Sequence, residues 1–94
     1  MRITLIDGHP RTESLCHGLA DAYARGAEAA GHELRRITVR ELDFNPVLRG
    51  AYDNRDPLEP ALVQAQEDIT WCEHLVVVHP VWWGQTPALL KGFF

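Results

Sequence analysis

Apolar and polar positions alternate in two different rhythms along this chain. Arg2 to Asp7 carries a short apolar run closed by a charge at each end, and it reads as a buried strand. Gly8 to Glu13 is polar and contains glycine and proline, so it is a loop, and Ser14 after it suits the capping position of a helix. From there Leu15, Leu19, Ala22, Tyr23, Ala27 and Ala30 recur at helical spacing and predict one continuous apolar face. Gly31 follows as a helix-ending glycine. Leu34 to Val39 alternates as a second strand. Asp43 to Pro57, with Asn45-Pro46, Gly50, Asp53-Asn54 and Asp56-Pro57, reads as a long turn-rich connection. Leu58 to about Cys72 predicts a second helix whose inward side is Leu62, Ala65, Ile69 and Trp71-Cys72. His74 to His79 is a third strand, with Val76 to Val78 expected in the core beside Ile3 and Leu5. Thr86-Pro87 reads as a cap and first residue of a final helix running toward Phe94.

Strand, helix, strand, loop, helix, strand, helix is the order of a parallel sheet covered on both faces, with right-handed crossovers. No repeat, low-complexity tract or linker divides residues 1–94, so they read as one domain or part of one. With three strands only, the apolar run 74–79 would lie on a sheet edge, where exposed apolar backbone invites aggregation. The last helix also runs only about two turns, to Phe93-Phe94, without a cap. The chain is therefore read as the N-terminal part of a larger doubly wound domain. The alternative is a natural miniature that covers its edge by dimerising.

Composition narrows the function classes. The 94 residues are 46% hydrophobic with a net charge of −4, and the basic residues Arg35, Arg36 and Arg40 read as scattered, which argues against nucleic acid. No apolar run approaches the roughly 18 residues of a membrane span. The first residues show no leader pattern, and Cys16 and Cys72 match no metal or redox spacing, so a reducing cytoplasm is the expected location. The five histidines, His9, His17, His32, His74 and His79, are not expected to form helical histidine–carboxylate pairs of the metal-site kind.

Two segments carry candidate chemistry. Gly8-His9-Pro10-Arg11-Thr12-Glu13-Ser14 joins the first strand to the first helix, where backbone N–H groups and the helix dipole attract phosphate. Arg11 can add charge and the hydroxyls can add donors; a plain structural turn is the competing reading, since no Walker or dinucleotide fingerprint is present. Cys16 stands where a thiolate is favoured, but no residue supplies its base. The second segment is Pro80-Val81-Trp82-Trp83-Gly84, after the third strand. Two adjacent tryptophans cannot both point inward, and Gly84 allows close approach or a positive φ, which predicts a rigid, concave aromatic shelf for a flat heterocycle.

Gly8-His9-Pro10 with Ser14 and Leu19-Ala20, Leu42 to Leu48, and Pro80-Val81-Trp82-Trp83 with Pro87 to Phe93 resemble the flavodoxin-like NAD(P)H:quinone oxidoreductases, the DT-diaphorase and potassium-efflux ancillary type. The resemblance covers the whole chain. It implies a five-stranded parallel α/β sheet, of which this chain holds three strands in order 2-1-3, and a homodimer. It implies FAD, with FMN as the other flavin, and hydride passed from NAD(P)H to a quinone or similar small acceptor. Carried over by position, His9, Arg11, Ser14, Leu15 and Cys16 would hold the flavin phosphates, and Pro80, Val81, Trp82, Trp83 and Gly84 would border the ring. The family places an aromatic residue and an asparagine where this chain has Leu15 and Cys16. No side chain here is assigned as a catalytic acid or base. A flavodoxin-type electron carrier and a cofactor-free fragment are the alternatives.

Overall fold

In a computed structural model, residues 1–47 and 58–94 are described; the predicted turn elements at Gly50, Asp53-Asn54 and Asp56-Pro57, and Leu48 of the resemblance, lie outside them. The sheet is built around β1 (Arg2–Asp7), whose last five residues are all buried. Both neighbours run parallel to it, β2 (Glu33–Thr38) on one side and β3 (His74–Val78) on the other, in the order β2-β1-β3. The register brings Asp7, Thr38 and Val78 level at the carboxyl edge.

Alternation along β1 assigns its side chains to two layers. Leu5 faces α1 (Leu15–Ala29) and packs with Ala20, Ala24, Leu34, Val76 and Val78. Ile6 faces α2 (Pro60–Trp71) and α3 (Ala88–Phe93), in a cluster with Ile37, Val39, Ala65, Leu90 and Phe93. Thr4, on that same face, donates its hydroxyl to the Asp68 carbonyl at 2.7 Å, which satisfies that buried group.

Helix α1 begins where expected: Ser14 is extended and its Oγ accepts the His17 N–H at 3.0 Å. It ends in a Schellman motif, with His32 N–H on the Ala27 carbonyl, Gly31 N–H on the Glu28 carbonyl, and Gly31 at φ +87°. Its inward face, however, is Ala20-Ala24-Ala27, which keeps only Ala27 of the predicted stripe, and Leu15, Leu19 and Tyr23 are exposed. Two apolar stripes share the helical period in this segment. Small side chains let the helix axis approach the sheet over Leu5, and the bulkier stripe is left outward.

Other elements differ from expectation more locally. β2 spans Glu33–Thr38, and Val39 opens a short 3-10 turn (Val39–Glu41) in which it is fully buried. α2 starts at Pro60, which occupies the first turn after Glu59. Its inward side includes Asp68, paired with Arg35 at 3.2 Å, while Trp71 is only half-buried and lies 4.1 Å under the Arg35 guanidinium. In α3 the N-cap position falls on Pro87 and not on Thr86 as expected, and no side chain makes a capping bond there. Val76, Val77 and Val78 are half-buried and Leu75 is exposed, because β3 pairs on one side only within the described residues.

One glycine in α3 has a steric reason. A Cβ at Gly92 would stand 2.5 Å from Pro46 Cβ and 2.7 Å from the Pro46 carbonyl oxygen. The Asn45-Pro46 segment thus crosses the helix with no room for a methyl group, and Gly92→Ala should cost about 1–3 kcal/mol of stability. An unchanged urea midpoint for that variant would contradict this packing.

Candidate functional site

The carboxyl edge of a parallel sheet is where the loops after β1 and β3 converge, and here the two are joined directly. Gly8 N–H donates to the Val78 carbonyl at 2.8 Å, which carries the β1–β3 ladder one residue into the loop. His9 follows and is buried; its ring meets Trp82 edge-on, with centroids 5.5 Å apart. Pro80 to Gly84 therefore lies beside Gly8 to Ser14, as the sequence requires of one shared site.

The tryptophan segment is a tight two-residue turn. Trp82 and Gln85 exchange both backbone hydrogen bonds, at 2.9 and 3.0 Å, and Trp83 and Gly84 have φ of 54° and 75°. That is the type I′ pattern, which glycine adopts freely and a bulky residue adopts at a cost of about 1 kcal/mol. The turn holds Trp83 entirely in solvent, with Trp82 half exposed and Val81 exposed beside it. Within the described residues the feature is an exposed aromatic tip and not the concave shelf expected, because the tight turn leaves the Trp83 side chain uncovered.

In the first loop, the His9 Nδ1 accepts the Arg11 backbone N–H at 2.9 Å, which leaves the ring proton on Nε2. Arg11 and Leu15 are exposed, and Ser14 and Cys16 are partly buried. Ser14 Oγ is engaged with His17 N–H, so the first-turn N–H groups of Leu15 and Cys16 are those left without an intrahelical partner. Burial and the nearby Asp7 charge push the Cys16 thiol above its ordinary pKa, so it is held as a thiol and the nucleophile reading loses its basis.

Four residues absent from the expected set occupy the same corner. Asp7 is fully buried, and its Oδ2 lies 3.0 Å from Arg40 Nη1, 3.0 Å from His17 Nδ1 and 3.6 Å from Arg36 Nη2. Its Oδ1 accepts the His9 N–H at 3.2 Å. Burial alone would raise the Asp7 pKa, but hydrogen bonds from His17, Arg40 and the His9 backbone, together with the Arg40 charge, outweigh it and hold the carboxyl below its usual value. Arg36 also pairs with Asp21, which lies 3.4 Å from His17 Nε2. His17 and Asp21 are thus a helical i, i+4 histidine–carboxylate pair, contrary to expectation; they belong to an ion-pair network with the arginines. Among the described residues no group of three or more His, Cys, Asp or Glu could hold a metal. Arg36 and Arg40, read as scattered in sequence, meet at Asp7. The available signal was the carboxylate closing a buried strand, since a buried charge requires partners.

The donor set suits a phosphate-bearing planar group: unpaired helix N–H groups, an exposed arginine, an Nε2–H from His9, and adjoining aromatic surface. Among the described residues no helix is long and apolar enough to cross a membrane.

Comparison with known proteins gives consistent results. Residues 1–94 match a family described as having a flavodoxin-like fold. The chain is 37% identical over 102 aligned residues to the uncharacterized NAD(P)H oxidoreductase YcaK of Escherichia coli, covering 98% of this chain and 50% of that protein. Among solved structures, an NADH:FMN oxidoreductase in its apo form is 30% identical with a TM-score of 0.73, over 98% of this chain and 47% of that one. The NAD(P)H:quinone oxidoreductase from Methanothermobacter marburgensis shares the fold with a TM-score of 0.80 at 23% identity, over 99% of this chain and 50% of that one. The chain spans about half the length of these relatives.

Proposed function

The chain belongs to the flavodoxin-like family, and from that premise we propose that it forms the phosphate-binding and ring-bordering half of a flavin site in an NAD(P)H-dependent quinone reductase. The observation that carries the reading is the junction of the two loops, with His9 against Trp82 at the carboxyl edge. When bound, the flavin supplies two-electron hydride chemistry between a nicotinamide and a quinone or similar acceptor. His9, Arg11, Ser14, Leu15 and Cys16 act on its phosphates: the Leu15 and Cys16 N–H groups and His9 Nε2–H as donors, Arg11 as charge, Ser14 by fixing the helix start. Pro80, Val81, Trp82, Trp83 and Gly84 border the ring, and the I′ turn holds the Trp83 indole out where a planar group can stack on it. FAD is the cofactor the resemblance favours, and FMN is the one named for a relative.

Fluorescence titration of the protein carrying this chain with FAD, FMN and riboflavin tests the proposal. Trp83→Ala should weaken flavin binding by about 1–2 kcal/mol, a loss of aromatic contact. The same substitution should move stability by less than about 0.5 kcal/mol, because the indole touches little else in the folded chain. Flavin affinity that survives Trp83→Ala unchanged would remove this turn from the site.

A further inference from the structure

Resting on the flavin reading, we infer that Arg40 and Asp7 are positioning residues: they never meet the cofactor, and they fix His9 and the start of α1 in the orientation that receives its phosphate.

His9 is clamped through its backbone on both sides. Its N–H donates to Asp7 Oδ1 at 3.2 Å, and its carbonyl accepts from Arg40 Nη1, also at 3.2 Å. The same Nη1 lies 3.0 Å from Asp7 Oδ2, so one carboxylate–guanidinium pair grips both ends of a single residue. With the backbone held, the Arg11 N–H on Nδ1 and the edge-on contact with Trp82 leave the ring a single orientation. The pair also reaches the helix. His17, in the first turn of α1, has its Nδ1 3.0 Å from Asp7 Oδ2 and 2.9 Å from Arg40 Nη2. As an N–H it donates to Asp7, and as a bare nitrogen it accepts from Arg40.

Two facts separate this role from direct binding and from plain stability. The Arg40 side chain is only 6% exposed and its fork is occupied by Asp7, His9 and His17, so it has no free face for a ligand. Its Nε, like that of Arg36, is buried without a partner among the described residues. A buried pair that leaves donors unsatisfied is a poor source of folding energy against an apolar replacement, so its geometry is the stronger reason for its presence.

The test uses FMN and riboflavin, which differ by the phosphate, on the protein carrying this chain. Arg40→Lys keeps the charge beside Asp7 and loses the fork. It should raise the Kd for FMN by about tenfold and leave riboflavin within about twofold, with an unaltered salt dependence. On a His9→Ala background Arg40→Lys should add clearly less than that tenfold loss, since the part routed through His9 is gone and only the part routed through the start of α1 remains. The uncharged pair Asp7→Asn with Arg40→Met, close in shape, gives the same reading if Arg40→Lys does not fold. Additive losses with His9→Ala, equal losses for FMN and riboflavin, or a shallower salt dependence of FMN binding each overturn the inference while leaving the flavin reading in place. An unsubstituted protein that binds none of FAD, FMN and riboflavin overturns both.

Discussion

Asp7→Ala should cost about 3–5 kcal/mol at neutral pH, the range for removing one partner of a buried ion pair. The carboxylate is fully buried, and its loss strips Arg40 and Arg36 of their central counter-charge inside the fold. It also removes the acceptor of the His9 N–H. Asp7→Asn should cost less, because an amide oxygen can still take that N–H. The loss should be pH-dependent with a definite sign. The folded carboxyl is held below its ordinary value of 3.8, so its stabilisation is complete above that pH and disappears as pH falls through the lower folded value. Urea melts of the parent and Asp7→Ala should therefore differ most near neutrality and converge in strong acid. A gap that is equally wide in strong acid would show that Asp7 contributes packing and not charge.

Leu90→Ala should cost about 2–5 kcal/mol, the range for emptying a buried leucine site. Leu90 has no exposure and joins Ile6, Ile37, Val39, Ala65 and Phe93. It also lies against the loop: a Cβ at Gly8 would stand 2.6 Å from its Cδ2 and 3.1 Å from its Cδ1. Gly8→Ala alone should thus displace the Leu90 side chain from its place under the loop that leads into His9. Combined with Leu90→Ala, the added methyl enters vacated space, so the double variant should lose less than the sum of the singles. Strict additivity in denaturant midpoints would mean that Gly8 and Leu90 are not packed together as described.

The parts of this molecule legible in sequence are those governed by local rules. Ser14 and Gly31 mark the ends of α1 because capping chemistry acts within a few residues, and the three strands are bounded by turn residues and charge. Strand order and the meeting of the two loops follow from right-handed crossovers. What was hidden depends on distances that periodicity does not carry. In α1 both Leu15-Leu19-Tyr23 and Ala20-Ala24-Ala27 satisfy the helical repeat, and only the closeness of the sheet selects the alanines. The side chains of Asp7, His17, Arg36 and Arg40 converge because register sets Asp7 beside Thr38 and the turn after β2 returns Arg40 over the sheet edge. The tryptophan pair was legible as exposed aromatic surface, but its projection depends on the handedness of a turn that needs Trp83 at positive φ.

The central position of β1 also bears on how the chain is made. The strand is made before both of its partners, and one of its two hydrogen-bonding edges is completed only by residues 74–78. Until then Ile3, Leu5 and Ile6 have β2, α1 and α2 to fold with, and the edge of β1 that takes β3 is open backbone. Parallel pairing between distant segments is slow because loop closure must precede any gain from contact. During synthesis the molecule therefore passes through a period in which its most deeply buried strand is half-made, when a holding chaperone would act to greatest effect.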